Sequence, residues 1–123
     1  MISGTDTAFA LANKYDLLFG FGTDSQGNPA LAERQGAHLA KLARYFEPWE
    51  VLKVATSQNY EIFKRSGPRD PYPGDNGVVR EGAYADLLLV DGNPLKDIDL
   101  IADPHTNFVI IMKDGVIYKN TLE

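Results

Sequence analysis

The stretch Leu17-Leu18-Phe19-Gly20-Phe21-Gly22-Thr23-Asp24-Ser25 decides how the rest of the chain is read. It is an apolar run that stops at Gly22-Thr23-Asp24-Ser25. A continuous apolar run this short reads as a strand buried on both faces. Working back from it, Thr5 or Asp6 is placed to cap a short helix through Tyr15, with Ala8, Phe9, Leu11 and Ala12 as its apolar stripe. A helix followed directly by a buried strand is the grammar of an α/β fold. Working forward, the polar residues Ser25 to Pro29 read as a loop. Leu31, Gln35, Leu39, Leu42 and Phe46 then recur at helical spacing with one polar interruption, predicting a helix over 30–46. Glu47-Pro48 opens another helix, with proline at its first position. Trp49, Leu52, Val54, Ala55, Tyr60, Ile62 and Phe63 populate it, and Thr56 or Ser57 is placed to divide it by capping a second helix.

Residues 66–82 are punctuation, holding Gly67, Pro68, Pro71, Pro73, Gly74, Gly77 and Gly82. They mark a boundary between parts 1–66 and 67–123. Beyond it the chain is β-rich. Residues 85–91 (ADLLLVD) read as a strand stopped by Gly92-Asn93-Pro94, and residues 108–112 as another. Asp114-Gly115 is a hairpin dipeptide, with Val116-Ile117-Tyr118 returning. Between the strands, residues 95–101 read as a helical turn.

The 123 residues suit one modest domain. Lys and Arg number 12 against 17 Asp and Glu, a net charge of −5, which argues against binding a phosphate backbone. No run approaches the ~18 apolar residues of a membrane span. The start, Met1-Ile2-Ser3-Gly4-Thr5-Asp6, lacks the basic region of a signal peptide, so the expected location is cytoplasmic. Zero cysteines removes disulfides, thiolate nucleophiles and Cys-type zinc sites together. The two histidines, His38 and His105, are fewer than the roughly three imidazoles of a self-contained multi-His site.

Asp24 is the sharpest chemical candidate. In parallel α/β folds functional groups gather at the carboxyl ends of strands. A carboxylate there can ligate a metal and accept a proton from a metal-bound water. The alternative is a turn or cap, with Asp24 bonding its own backbone or the next helix. His38 falls inside the following helix, where a lone histidine is usually a surface or packing residue, and His105 follows Asp103-Pro104 in an expected loop. The glycines of 66–82 carry no phosphate-loop pattern and read as a linker. Acidic residues interleave with Arg65, Arg69 and Arg80, against a nucleic-acid patch. Tyr45, Phe46 and Trp49 read as core packing.

Four pieces in order resemble the amidohydrolase superfamily, most closely its imidazolonepropionase and Xaa-Pro dipeptidase (prolidase-like) branch. Residues 17–25 (LLFGFGTDS) resemble the eighth barrel strand with its terminal Asp. Residues 48–59 (PWEVLKVATSQN) resemble the helix that follows. Residues 77–94 (GVVREGAYADLLLVDGNP) resemble the pattern G-x-I-x-x-G-x-x-A-D-L-x-x-x-D-x-x-P, and residues 109–118 (VIIMKDGVIY) the closing hairpin. The resemblance implies a fold class of α/β, here an α+β fragment: the last strand and helices of a TIM-like barrel (1–66) plus C-terminal β-sandwich strands (67–123). It implies metal-dependent hydrolysis of a C–N bond in a small amide, cyclic amide or peptide, with zinc or a similar divalent ion. Asp24 matches the carboxylate that ligates the metal and shuttles a proton. The Ala85-Asp86 strand matches a structural part of the sandwich.

The family's His-x-His of strand one and its ligands on strands four, five and six have no counterpart here. His38 lies outside the ligand pattern but could approach substrate from the region after strand eight. The chain therefore reads as the C-terminal third of such an enzyme, inactive alone. One strand cannot close a barrel, so residues 17–21 must expose their faces or bury them elsewhere, and self-association is expected. Two other readings stand beside it: a non-catalytic oligomeric interaction module, and a fragment complemented by a separate N-terminal barrel polypeptide.

Overall fold

The computed structural model describes residues 2–122. Met1 and Glu123, the outer ends of the two expected parts, lie outside the described residues. The chain mixes short helices with one three-stranded antiparallel sheet.

Helix α1 (Ile2–Lys14) ends where Asp16 turns left-handed at φ 47°. The Leu17 N–H then donates to Ala12 O at 3.0 Å, and the Asp16 N–H to Asn13 O at 3.4 Å. This is the paired closure of a Schellman motif, which throws the chain away from the helix axis.

Residues 17–25 leave the helix without forming a strand. The expected strand buried on both faces is corrected here: the segment has no sheet ladder among the described residues, and only one side is covered. Phe19 and Phe21 turn inward, half-buried. Phe19 lies 5.9 Å from Phe9 and 5.2 Å from Phe46, ring centre to ring centre. Leu17 stays 52% exposed and Leu18 36%. The physical reason is that, among the described residues, no strand pairs with this backbone and nothing covers the outer leucines.

The helix expected over 30–46 is interrupted. Asn28 caps α2 (Pro29–Ala32) by accepting from the Leu31 N–H at 3.3 Å. Helix α3 (Gln35–Ala40) restarts at the polar interruption and tightens into a 3₁₀ turn, Lys41–Arg44. Gly36 lets α3 press directly onto the Ile101 carbonyl, because any Cβ there would collide with it. Glu47 starts α4 (Pro48–Lys53), its N–H donating to Glu50 Oε2 at 2.9 Å. The expected break at Thr56 or Ser57 is replaced by a π turn, Val54–Gln58, which runs straight into α5 (Asn59–Lys64). Thr56 does not cap; its hydroxyl bonds back to Leu52 O at 2.7 Å within the helix.

A linker with a 3₁₀ turn, Gly67–Arg69, leads to β1 (Leu87–Val90). The helical turn expected over 95–101 is a 3₁₀ turn, Ile98–Ile101, capped by Asp97. His105, expected in a loop, sits in a short helix, α6 (Pro104–Asn107). Asp103 makes that helix possible by accepting from the Thr106 N–H at 3.2 Å, with proline in the first turn. Strands β2 (Phe108–Lys113) and β3 (Val116–Asn120) form the hairpin signalled by Asp114-Gly115.

The sheet order is β1-β2-β3, with Leu88 opposite Ile111 and Met112 opposite Ile117. Asp86 locks the hairpin from outside it. Its carboxylate accepts from the Asp114 N–H at 2.7 Å and from Lys113 Nζ at 2.8 Å, while Ala85 O takes the Gly115 N–H at 3.0 Å. The hydrogen bond from Lys113, then that from Asp114, holds the Asp86 carboxyl below its ordinary pKa. The core joins both parts: Leu39, Phe46 and Val51 from the helices meet Ile98, Ile101 and Phe108.

Candidate functional site

Asp24 stands just past the apolar segment, at the entrance to the turn over 25–28, its own backbone left-handed at φ 49°. A non-glycine residue tolerates that region at a cost, and Asp tolerates it better than most. Its side chain is exposed, and Oδ1 accepts a hydrogen bond from Gln26 Nε2 at 3.0 Å. The turn closes when the Asn28 N–H donates to Ser25 O at 2.8 Å.

What holds the segment before Asp24 is a side chain that the sequence reading did not single out. The Phe21 N–H donates to Asn59 Oδ1 at 2.9 Å, and Asn59 Nδ2 donates to Phe21 O at 3.0 Å. One amide thus satisfies both backbone groups of one residue, as a neighbouring strand would. Gly20 makes the approach possible: a Cβ there would collide with Asn59 Oδ1 and lie 2.8 Å from Ile62 Cδ1. The available signal was the pairing of Gly20 with an Asn in a helix some forty residues on, which local pattern reading does not connect.

His38 lies in the last turn of α3 and is half-buried. No hydrogen bond or ion pair joins it to Asp24 among the described residues. His105 lies in α6, where its carbonyl accepts from Lys119 Nζ at 2.7 Å. The structure therefore does not bring the two histidines and Asp24 into one cluster. Among the described residues no three His, Asp or Glu side chains converge to hold a metal ion. Beneath Phe21 runs an open groove of about 370 Å³, whose walls include Leu39, Ala55, Leu88, Phe108 and Ile111. The groove is apolar and carries no titratable cluster.

The linker has its own anchor. Tyr60 donates to Gly74 O at 2.9 Å and to Asp75 Oδ1 at 3.1 Å. Burial, then the bond to Asp75, raises the Tyr60 pKa, while the Arg80 guanidinium on Asp75 lowers that carboxyl. These groups fix residues 74–80 against α5 and stand apart from Asp24 in sequence and in contacts.

An apolar segment that ends at one exposed carboxylate is thus packed on helices and joined to a three-stranded antiparallel sheet. The sequence matches the amidohydrolase family over residues 1–120. The chain belongs to that family. A crystal structure of an amidohydrolase is 32% identical with a TM-score of 0.78, covering 95% of this chain and 26% of its own. A crystal structure of a prolidase complexed with N-methylphosphonate-L-proline is 28% identical with a TM-score of 0.75, covering 93% of this chain and 26% of its own. The chain thus spans about a quarter of the length of these structures. Among curated proteins, none matches significantly.

Proposed function

We propose that this chain is the C-terminal segment of a metal-dependent amidohydrolase of the Xaa-Pro dipeptidase or imidazolonepropionase branch. The whole enzyme hydrolyses a C–N bond in a small amide, cyclic amide or peptide, in the cytoplasm. Residues 1–66 are the end of its barrel and 67–123 the C-terminal portion of its β-sandwich. Asp24 is the residue that reaches the reacting centre, as metal ligand and proton shuttle. His38 approaches the substrate from the helix after that turn.

The observation carrying this reading is the position of Asp24. It ends the apolar segment in a left-handed turn, exposed, in a chain whose fold matches a quarter of a prolidase bound to a proline phosphonate. A catalytic divalent ion, zinc by the family resemblance, takes about three protein ligands. No three candidate ligands converge among the described residues, so this chain fits one ligand position and not a complete site. The other ligands belong to the remaining three quarters of the fold, and the chain alone is inactive. Zinc titration by calorimetry, with hydrolysis of a Xaa-Pro dipeptide, tests this. The expected result is no tight stoichiometric zinc binding and no turnover. Tight one-to-one binding with turnover lost in Asp24→Asn would overturn the inactivity.

Exposed apolar side chains favour a second reading beside it, self-association into an oligomeric module. Leu17, Leu89, Ile117 and Tyr118 are all exposed. Sedimentation is expected to give a species larger than the monomer; a cooperatively folding monomer at high concentration would remove this reading.

A further inference from the structure

Asn59 is fixed before it touches Phe21. It is the first residue after the π turn Val54–Gln58, and its Nδ2 also donates to Ala55 O at 3.4 Å. That bond sets the orientation of the amide: a flipped amide would oppose its donor to the Phe21 N–H and its acceptor to the two carbonyls. Gly77 packs directly against the π turn, where a Cβ would lie 2.6 Å from the Thr56 carbonyl carbon and oxygen. π turns concentrate at functional sites, and this one is clamped between the linker and the segment leading to Asp24.

Only Gly22 and Thr23 separate Phe21 from Asp24, at most about 10 Å of chain. Among the described residues no backbone hydrogen bond holds residues 22–24. The Asn59 amide is therefore the last polar anchor before the Asp24 turn. We infer that Asn59 is a positioning residue, which sets where the Asp24 carboxylate stands by acting as a one-residue strand partner to Phe21. The inference rests on the role proposed above for Asp24.

The test is amide hydrogen exchange and ¹⁵N relaxation on the full chain, comparing wild type with Asn59→Ala, Asn59→Asp and Gly20→Ala. In Asn59→Ala the Phe21 amide is expected to exchange about thirtyfold faster, with the amides of β2 unchanged. The order parameter of the Asp24 amide is expected to fall from the ~0.85 of rigid backbone to below ~0.6. Asn59→Asp keeps the acceptor for the Phe21 N–H and restores protection in part. Gly20→Ala displaces the amide and reproduces the local loss with Asn59 intact, which covers the case where Asn59→Ala does not fold. An Asp24 amide as rigid in the variants as in wild type overturns the inference.

A second arm separates this inference from the functional reading. The chain is mixed with an amidohydrolase barrel polypeptide lacking its final quarter, and dipeptide hydrolysis is followed. Asn59→Ala is expected to lower kcat by about a hundredfold with KM little changed. Wild-type kcat in that variant overturns the positioning role. No turnover with the wild-type chain overturns the functional proposal instead, while the relaxation result, which involves neither metal nor substrate, still decides on the clamp.

Discussion

The hairpin sheet at 87–120 and the apolar segment at 17–22 are both rich in large aliphatic and aromatic residues, yet only one is a sheet. The hairpin carries its partners within reach. Strands β2 and β3 are joined by two residues, and Asp86 bonds the turn itself. Beyond the Leu17 N–H that closes α1, the segment is bonded through the Asn59 amide, thirty-eight positions from Phe21. Its outer leucines, Leu17 and Leu18, stay exposed. β structure depends on neighbours more than on composition, and here the neighbours are present for one region and lacking for the other.

Substitutions in the two regions should therefore differ in size. Phe108 opens β2 and is 7% exposed, packed where the helices meet the sheet. Phe108→Ala is expected to destabilise by about 3–4 kcal/mol, read from the urea midpoint, because the cavity lies in the shared core. A loss under about 1 kcal/mol would mean the two parts do not share a core.

Asp86→Ala removes both charge-assisted bonds to the hairpin turn, with an expected loss of about 2 kcal/mol. The pH dependence has a definite sign. The Asp86 carboxyl is held below its ordinary value, chiefly by Lys113. Its contribution is complete above the unfolded Asp pKa of about 3.9 and is lost as pH falls through the lower folded value. Melting curves between about pH 6 and pH 3 should thus fall more steeply for wild type than for Asp86→Asn. Parallel curves would show that the carboxylate does not lock the turn.

Leu17→Ala should have the smallest effect, about 0.5–1 kcal/mol, because the side chain is already 52% exposed. A loss above about 2 kcal/mol would place Leu17 in a buried environment, as in a paired strand, and erase the contrast between the regions.

The contrast also explains what could be read in advance. The sheet was legible because its signals are local: the apolar run 87–90, the Asp114-Gly115 turn and the returning strand adjoin one another. The start of α4 is legible for the same reason, through Pro48, whereas the one-turn helix α6 reads as a loop because four residues are too few to show helical spacing. Residues 17–22 read as a strand because their composition is that of one, but a ladder needs a neighbour that composition cannot supply. The π turn is hidden in the sequence because Thr56-Ser57 offers a plausible cap, whereas in the fold Thr56 bonds back to Leu52 O and Gly77 packs against the turn. Asp24 stands out in the sequence by its place after an apolar run, and its role remains the proposal made above. The residue that holds its segment was missed because the link between Gly20 and Asn59 is visible only in three dimensions.

The role proposed for Asp24 is that of one ligand in a site whose other ligands lie outside this chain. Its most direct test is dipeptide hydrolysis by three samples with added zinc: the chain alone, the chain with a barrel polypeptide lacking its final quarter, and the same mixture with Asp24→Asn. Turnover is expected only in the second. Turnover by the chain alone, or equal turnover in the second and third, would contradict it.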